Sequence, residues 1–272
     1  MRHILPCLCL FLFALACSGP VPAQPAAITP VAVAEPAASS AVVVEPTASA
    51  EPPRPIGPYE IPFDGKRTVY FAVPSSTEGP HRLIANLHGL CNPPGYACGY
   101  WTRAGSEEGF LVCPTGNSTC GTGAGAPPTW TEGDGDIDRD LERAVAAVDA
   151  QYPDQMTREG AVLTGFSRGA YAAGRIAVMH PGRWPYLLLT EADVPLDAHT
   201  LRAAGVRGVA MLAGEIGSQV QGERRTVQRL SAQGMRAHLW VMPRAGHYYS
   251  ANIDEIMREA LDWLVRSQTG AP

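Results

Sequence analysis

Gly160-Ala161-Val162-Leu163-Thr164-Gly165-Phe166-Ser167-Arg168-Gly169-Ala170-Tyr171-Ala172-Ala173-Gly174 is the stretch on which the fold turns. An apolar run from Ala161 to Phe166 reads as a strand, and Arg168 to Met179 reads as a helix whose small residues permit close packing on a sheet. Between them Ser167 stands in a Gly-x-Ser-x-Gly pattern. Gly165 and Gly169 suit a sharp strand-to-helix turn, where neighbouring backbone comes too close for side chains and the serine hydroxyl is lifted above the sheet. A serine that only caps a helix is the plainer alternative, but the strand before it and the small-residue helix after it favour the elbow.

Outward from this turn, strands and helices alternate. Thr68 to Val73, Leu83 to Leu87 and Phe110 to Cys113 read as strands, and Asp136 to Ala150 as an amphipathic helix. Beyond the serine come strands at Tyr186 to Thr190, Val209 to Ala213 and Ala237 to Met242, with helices at Val220 to Gln233 and Ile253 to Val265. This rhythm predicts an α/β fold with a mostly parallel central sheet and helices on both faces. Functional groups then gather at the carboxyl ends of the strands.

A serine hydroxyl is a weak nucleophile until a base takes its proton. Of the seven histidines, His247 lies just past the last predicted strand, in Pro243-Arg244-Ala245-Gly246-His247-Tyr248, where a loop at that same edge would carry it. His88 also follows a strand, but ahead of the serine. His3 falls in the leader, and His81, His180, His199 and His238 read as surface or packing residues.

From about Tyr70 to Val265 the chain resembles the α/β-hydrolase superfamily, especially its secreted esterase and polyhydroxybutyrate-depolymerase-like or dienelactone-hydrolase-like branches. The resemblance rests on Leu87-His88-Gly89 after an early strand, the elbow at Ser167, the acidic loop at Gly214-Glu215, and Gly246-His247 near the end. It implies a catalytic order of nucleophile, acid and histidine. It also implies an oxyanion hole, with backbone N–H donors from Leu90 or Cys91 and from Arg168. The implied activity is hydrolysis of small-molecule or polymeric carboxylic esters through an acyl-serine, with no cofactor. A peptidase or amidase of the same fold, and a catalytically inactive surface-binding lipoprotein, are the alternatives.

The acid is the least regular part. In the family it usually follows the penultimate strand, often as Asp a few residues past a Gly. Here Val209-Ala210-Met211-Leu212-Ala213-Gly214-Glu215-Ile216-Gly217-Ser218 has the strand and the Gly, but Gly217 stands where the Asp is commonest. Glu215 is the only carboxylate in that stretch and is the expected acid. Asp193, in Thr190-Glu191-Ala192-Asp193-Val194, is the competitor from the preceding strand. In a third arrangement Glu215 only braces its loop and no charge stands beside the histidine.

The remaining features concern export. Residues 1–17 carry Arg2, His3, an apolar run to Ala16, and Cys17, which reads as a signal peptide of lipoprotein type with Cys17 as the lipidation site. The run is shorter than the ~20 residues of a membrane-spanning helix. Residues 18–58, nearly all Pro, Ala, Val, Ser and Glu, read as a disordered linker, leaving 59–272 as the folded domain. Contact with a membrane is then expected only through a lipid at Cys17, at the cell envelope or after secretion. Cys91, Cys98, Cys113 and Cys120 are even in number and lie in loops, which predicts two disulfides in an exported domain. Of three connectivities, the local pairs Cys91 with Cys98 and Cys113 with Cys120 are expected. The spacing does not suit zinc, so no metal is expected.

With Lys+Arg 21 against Asp+Glu 26, there is no basic excess to bind nucleic acid. Asp134 to Asp140 opens like a calcium loop, but Arg139 replaces the required Gly and Val145 the bidentate Glu. An acidic helix start is the better reading.

Overall fold

The computed structural model describes residues 55–65, 67–131 and 133–266. The signal segment, Cys17 and the proline-rich stretch up to residue 54 lie outside the described residues.

In chain order the elements are β1 (Tyr59–Pro62), β2 (Thr68–Ala72), β3 (His81–Leu87), α1 (Pro94–Tyr100), α2 (Thr102–Glu108), β4 (Gly109–Pro114), β5 (Ser118–Thr119) and β6 (Pro128–Thr129). They continue with α3 (Asp134–Asp149), β7 (Met156–Phe166), α4 (Arg168–Met179), β8 (Tyr186–Thr190), α5 (Ala198–Ala203), β9 (Gly208–Gly214), α6 (Val220–Ala232), β10 (Ala237–Met242) and α7 (Ile253–Arg266). Eight strands form one sheet in the order β1-β2-β4-β3-β7-β8-β9-β10. From β4 to β10 every neighbour is parallel, and β2 and β1 add an antiparallel edge. The small pair β5 and β6 stands apart.

Alternation along the strands builds the two faces. Leu83, Ala85 and Leu87 of β3, Ala161 and Leu163 of β7, Leu187 and Leu189 of β8 and Val209 and Met211 of β9 pack with α3, α4 and α6 on one side. Ile84, Val162, Leu188, Ala210 and Leu212 pack with α1, α2 and α7 on the other. A strand places successive side chains on opposite faces, so fully buried parallel strands must be apolar at both parities. That is why these segments are continuous apolar runs. The helices contribute one stripe each, such as Ile253, Ile256, Met257, Ala260, Leu261 and Leu264 on α7.

Strand order reverses between β3 and β7, because β4 lies outside β3 on one side while β8, β9 and β10 extend from β7 on the other. A crevice opens at the carboxyl ends of the strands at such a switch point. β7 carries Ser167 into that crevice.

The two disulfides differ from the expected local pairs. They join Cys91 to Cys120 and Cys98 to Cys113, with Cα–Cα distances of 5.5 and 6.1 Å. Cys98 lies on the buried side of α1, which packs on β4, so its sulfur meets Cys113 in that strand. Cys91 precedes α1 in a turn and reaches instead the loop between β5 and β6. The bridges therefore pin the loop after β3 and the helix behind it.

Candidate active site

Ser167 is the first residue after β7, and its backbone is left-handed, with φ 53° and ψ −117°. A β-carbon on Gly165 would overlap the backbone of Gly169, and one on Gly169 would overlap the carbonyl of Leu87. The glycines are needed because α4 starts against the end of β3. The Ser167 amide still bonds to the Thr190 carbonyl at 2.8 Å, so the turn departs from the ladder only after that bond is made.

Glu191 repeats this geometry one strand over. It is the first residue after β8, its φ is 56°, and its amide bonds to the Leu212 carbonyl at 2.8 Å. Its side chain is fully buried. One carboxylate oxygen accepts the Gly214 N–H. The other lies 3.0 Å from His247 Nδ1. His247 Nε2 is in turn 2.8 Å from Ser167 Oγ. Serine, imidazole and carboxylate thus form one hydrogen-bonded line, and the carboxylate end fixes the ring nitrogens: Nδ1 donates to Glu191, and Nε2 accepts from the serine hydroxyl.

The carboxylate beside the imidazole is therefore Glu191 and not the expected Glu215. Glu215 sits in the loop after β9, exposed, and its carboxylate accepts the Arg244 N–H at 2.8 Å. It braces the turn that leads to His247 and does not touch the imidazole. Asp193 accepts from Thr226 Oγ1 at 3.1 Å, on the side of α6. Two residues beyond Glu191, it has already left the strand end and points elsewhere. The loop of Glu215 nonetheless shapes the site. A β-carbon on Gly214 would overlap the carbonyls of Ala245 and Gly246, so only glycine lets the loops after β9 and β10 meet. A β-carbon on Gly217 would lie 3.3 Å from Glu191 Oε2. The longer side chain from β8 therefore fills the room that a residue at 217 would use.

The imidazole is half exposed, whereas its carboxylate partner is shut away from water. Burial pushes the Glu191 carboxyl above the ordinary carboxylate range, and the Gly214 N–H and His247 pull it back down. Phe166 supports the imidazole from below at 5.2 Å between ring centres, and Tyr249 packs on Phe166 at 5.0 Å.

His88 is a packing residue with a defined tautomer. Its Nδ1 donates to the Gly89 carbonyl at 2.8 Å and its Nε2 accepts the Gly116 N–H at 2.9 Å. Trp130 stacks on the ring at 4.7 Å and donates its indole N–H to the His88 carbonyl at 2.9 Å. Burial drives the His88 pKa down to about 4, so the ring is neutral and the loop of Gly89 and Leu90 is held by uncharged bonds.

A cleft of about 460 Å³ opens over Ser167, lined by Leu90, Arg168, Tyr171 and Arg175. The expected oxyanion residues Leu90 and Arg168 thus both border it. Along α4 it adjoins a second hollow of about 300 Å³, which shares Tyr171 and Arg175 and is walled by Val178, Val194 and Leu196. The side chains of Arg168 and Arg175 are tied down, to the Thr131 carbonyl at 2.7 Å and to Asp134 at 2.6 and 2.8 Å. Each acidic residue of the calcium-like run is likewise engaged by a cation. Asp134 pairs with Arg175, Asp136 with Arg139, Asp138 with Arg183 and His180, and Asp140 with Arg67. Among the described residues no group of three or more His, Cys, Asp or Glu is placed to hold a metal.

No family model and no curated protein matches the sequence. Solved structures do match the fold. An S-formylglutathione hydrolase from Staphylococcus aureus is similar with a TM-score of 0.52 at 15% identity, over 73% of this chain and 92% of that one. A fluorophosphonate-binding serine hydrolase from the same organism gives 0.53 at 16% identity, over 76% and 96%. The esterase PE8 gives 0.54 at 18% identity, over 71% and 97%. The chain has the α/β-hydrolase fold.

Proposed function

We propose that this protein is a serine hydrolase that cleaves carboxylic esters through an acyl-serine, with Ser167 as nucleophile, His247 as general base and Glu191 as the acid that orients it. The observation that carries this reading is the line from Ser167 Oγ to His247 Nε2 at 2.8 Å and from His247 Nδ1 to Glu191 at 3.0 Å. A surface-binding protein has no use for a left-handed serine aimed at an oriented imidazole.

In the proposed reaction Ser167 Oγ attacks the ester carbonyl while His247 Nε2 takes the hydroxyl proton, and Glu191 balances the imidazolium that results. The carbonyl oxygen becomes an oxyanion, for which the backbone amides of Leu90 and Arg168 are the proposed donors. His247 then returns the proton to the leaving alcohol. Water repeats the sequence on the acyl-serine and frees the acid. The open cleft admits the alcohol side, and the apolar hollow along α4 suits an aliphatic or aromatic acyl group. The disulfides and the signal-like leader support action outside the reducing cytosol, with Cys17 as the proposed lipid attachment point. No helix among the described residues is long and apolar enough to cross a membrane.

A fluorophosphonate probe and p-nitrophenyl acetate test the assignment together. Wild type should label at Ser167 and release p-nitrophenol, and Ser167→Ala should lose turnover by up to ~10⁶ with its fold intact. A well-folded Ser167→Ala protein that kept most of its activity would remove the serine from the mechanism.

A further inference from the structure

Resting on this hydrolase reading, we propose that Glu223 of α6 is a positioning residue that holds, as a neutral carboxylic acid, the turn carrying Glu191. The left-handed turn at Glu191 takes the next amide, Ala192 N–H, out of the sheet and leaves it buried. α6 supplies what the sheet does not. Glu223 Oε1 accepts the Ala192 N–H at 2.7 Å. One turn earlier, Gln219 Oε1 accepts the Asp193 N–H at 3.2 Å, and on the far side Thr226 Oγ1 donates to Asp193 at 3.1 Å. Residues 219, 223 and 226 share one helix face by their spacing of four and three. That face grips the two residues that follow the acid in the turn after β8.

Glu223 is the centre of the grip and the odd member chemically. Its side chain is fully buried, and Oε2 has no hydrogen-bonding partner among the described residues. The titratable groups facing it are Glu191 and Asp193 from the turn after β8 and the Tyr171 phenol from α4. Two adjacent buried carboxylates cannot both hold a charge cheaply, and the proton settles on the one with fewer donors. Glu191 has the Gly214 N–H and His247. Glu223 has one amide, and burial pushes its pKa up to about 9. The arrangement keeps the negative charge on Glu191, where the imidazolium needs it, and uses Glu223 for shape.

The test compares full-length wild type, Glu223→Ala and Glu223→Gln by kcat and KM for p-nitrophenyl acetate from pH 6 to 10, with fluorophosphonate labelling alongside. Glu223→Ala should lower kcat by about 10- to 100-fold with KM within about twofold, because a misplaced acid weakens the base and not substrate binding. Glu223→Gln, which keeps the acceptor and cannot ionise, should recover kcat to within about fivefold of wild type. Wild type should lose kcat above about pH 9, when Glu223 ionises against Glu191, and Glu223→Gln should lack that alkaline limb. A folded Glu223→Ala protein with unaltered kcat, or a glutamine variant that keeps the limb, overturns the proposal. If the alanine variant does not fold, the profile of the glutamine variant decides. A wild type that neither labels nor turns over overturns the hydrolase reading and this one with it, whereas a labelled, active wild type with an indifferent Glu223 overturns this one alone.

Discussion

Glu191→Gln is the substitution that tests the site most sharply, because the surroundings dictate which way the amide must lie. The carboxylate accepts two hydrogen bonds, one from the backbone N–H of Gly214 and one from His247 Nδ1. The Gly214 amide can only donate, so the amide oxygen of the glutamine must face it. The NH₂ then faces His247 and donates to Nδ1. The imidazole is forced into the tautomer with its proton on Nε2, pointing at Ser167, where it cannot take the hydroxyl proton. No volume is lost, and the one amide N–H left without an acceptor costs about 1–3 kcal/mol, so the fold should be retained. A locked wrong tautomer together with an unbalanced imidazolium should cost up to ~10⁴ in kcat, or about 5.5 kcal/mol of barrier. The assay is kcat for p-nitrophenyl acetate and the rate of fluorophosphonate labelling, with circular dichroism as the fold control. Glu215→Gln should stay within about tenfold of wild type, since its carboxylate holds only the Arg244 amide. If Glu191→Gln keeps a tenth of the wild-type rate, or if Glu215→Gln loses as much, the reasoning from geometry fails.

Two further predictions follow from the loop after β3. His88 has a folded pKa of about 4 against an ordinary 6.5, so the unfolded chain binds its proton first. The stability it permits is complete above pH 6.5 and is lost as pH falls through about 4. That linkage amounts to ~3 kcal/mol, and urea titrations at pH 7 and pH 4 should show His88→Asn losing correspondingly less than wild type on acidification. Peptide mapping of the unreduced protein should recover Cys91 linked to Cys120 and Cys98 linked to Cys113. Replacing either pair with serine should cost about 3 kcal/mol in unfolding free energy, and recovery of the local pairs would contradict the packing of α1 on β4.

The fold was legible because parallel strands buried on both faces must be predominantly apolar, and Ala161 to Phe166, Tyr186 to Thr190 and Val209 to Ala213 are, with Thr164 and Thr190 the polar exceptions. The serine was legible because its turn demands glycines at fixed positions, and the histidine because it stands just past the last strand. The short helices α1 and α2 were not anticipated. Gly95, Gly99 and Gly105 fall within 94–108, and the helices hold through Trp101 and Ala104 packed in the core rather than through their own propensity. Disulfide pairing failed for the same reason, since proximity along the chain says nothing about which side of α1 a cysteine faces.

The acid shows why a side chain's role is harder to read than its place in the order of elements. Spacing from Gly214 pointed to Glu215, and the preceding strand offered Asp193 as competitor, yet the residue between strand and competitor holds the histidine. A left-handed first residue after β8 sends its side chain over the sheet edge, and nothing marks that conformation when the residue is glutamate rather than glycine or asparagine. Three observations could have pointed to it beforehand. Glu191 holds the same place after β8 that Ser167 holds after β7, Gly217 leaves open the place where an acid is commonest, and a glutamate has the extra reach to cross from one strand end to the next. Their joint physical content is that the position of the carboxylate is fixed by His247 and Gly214, while the strand that delivers it is free to change. Moving the acid back to the loop after β9, as Gly217→Asp in Glu191→Ala, should therefore restore part of the kcat lost by Glu191→Ala alone, since a side chain at 217 begins 3.3 Å from the place that Glu191 Oε2 vacates. A double variant no faster than Glu191→Ala would show that the loop after β9 cannot present a carboxylate to His247, and that the site depends on β8 itself.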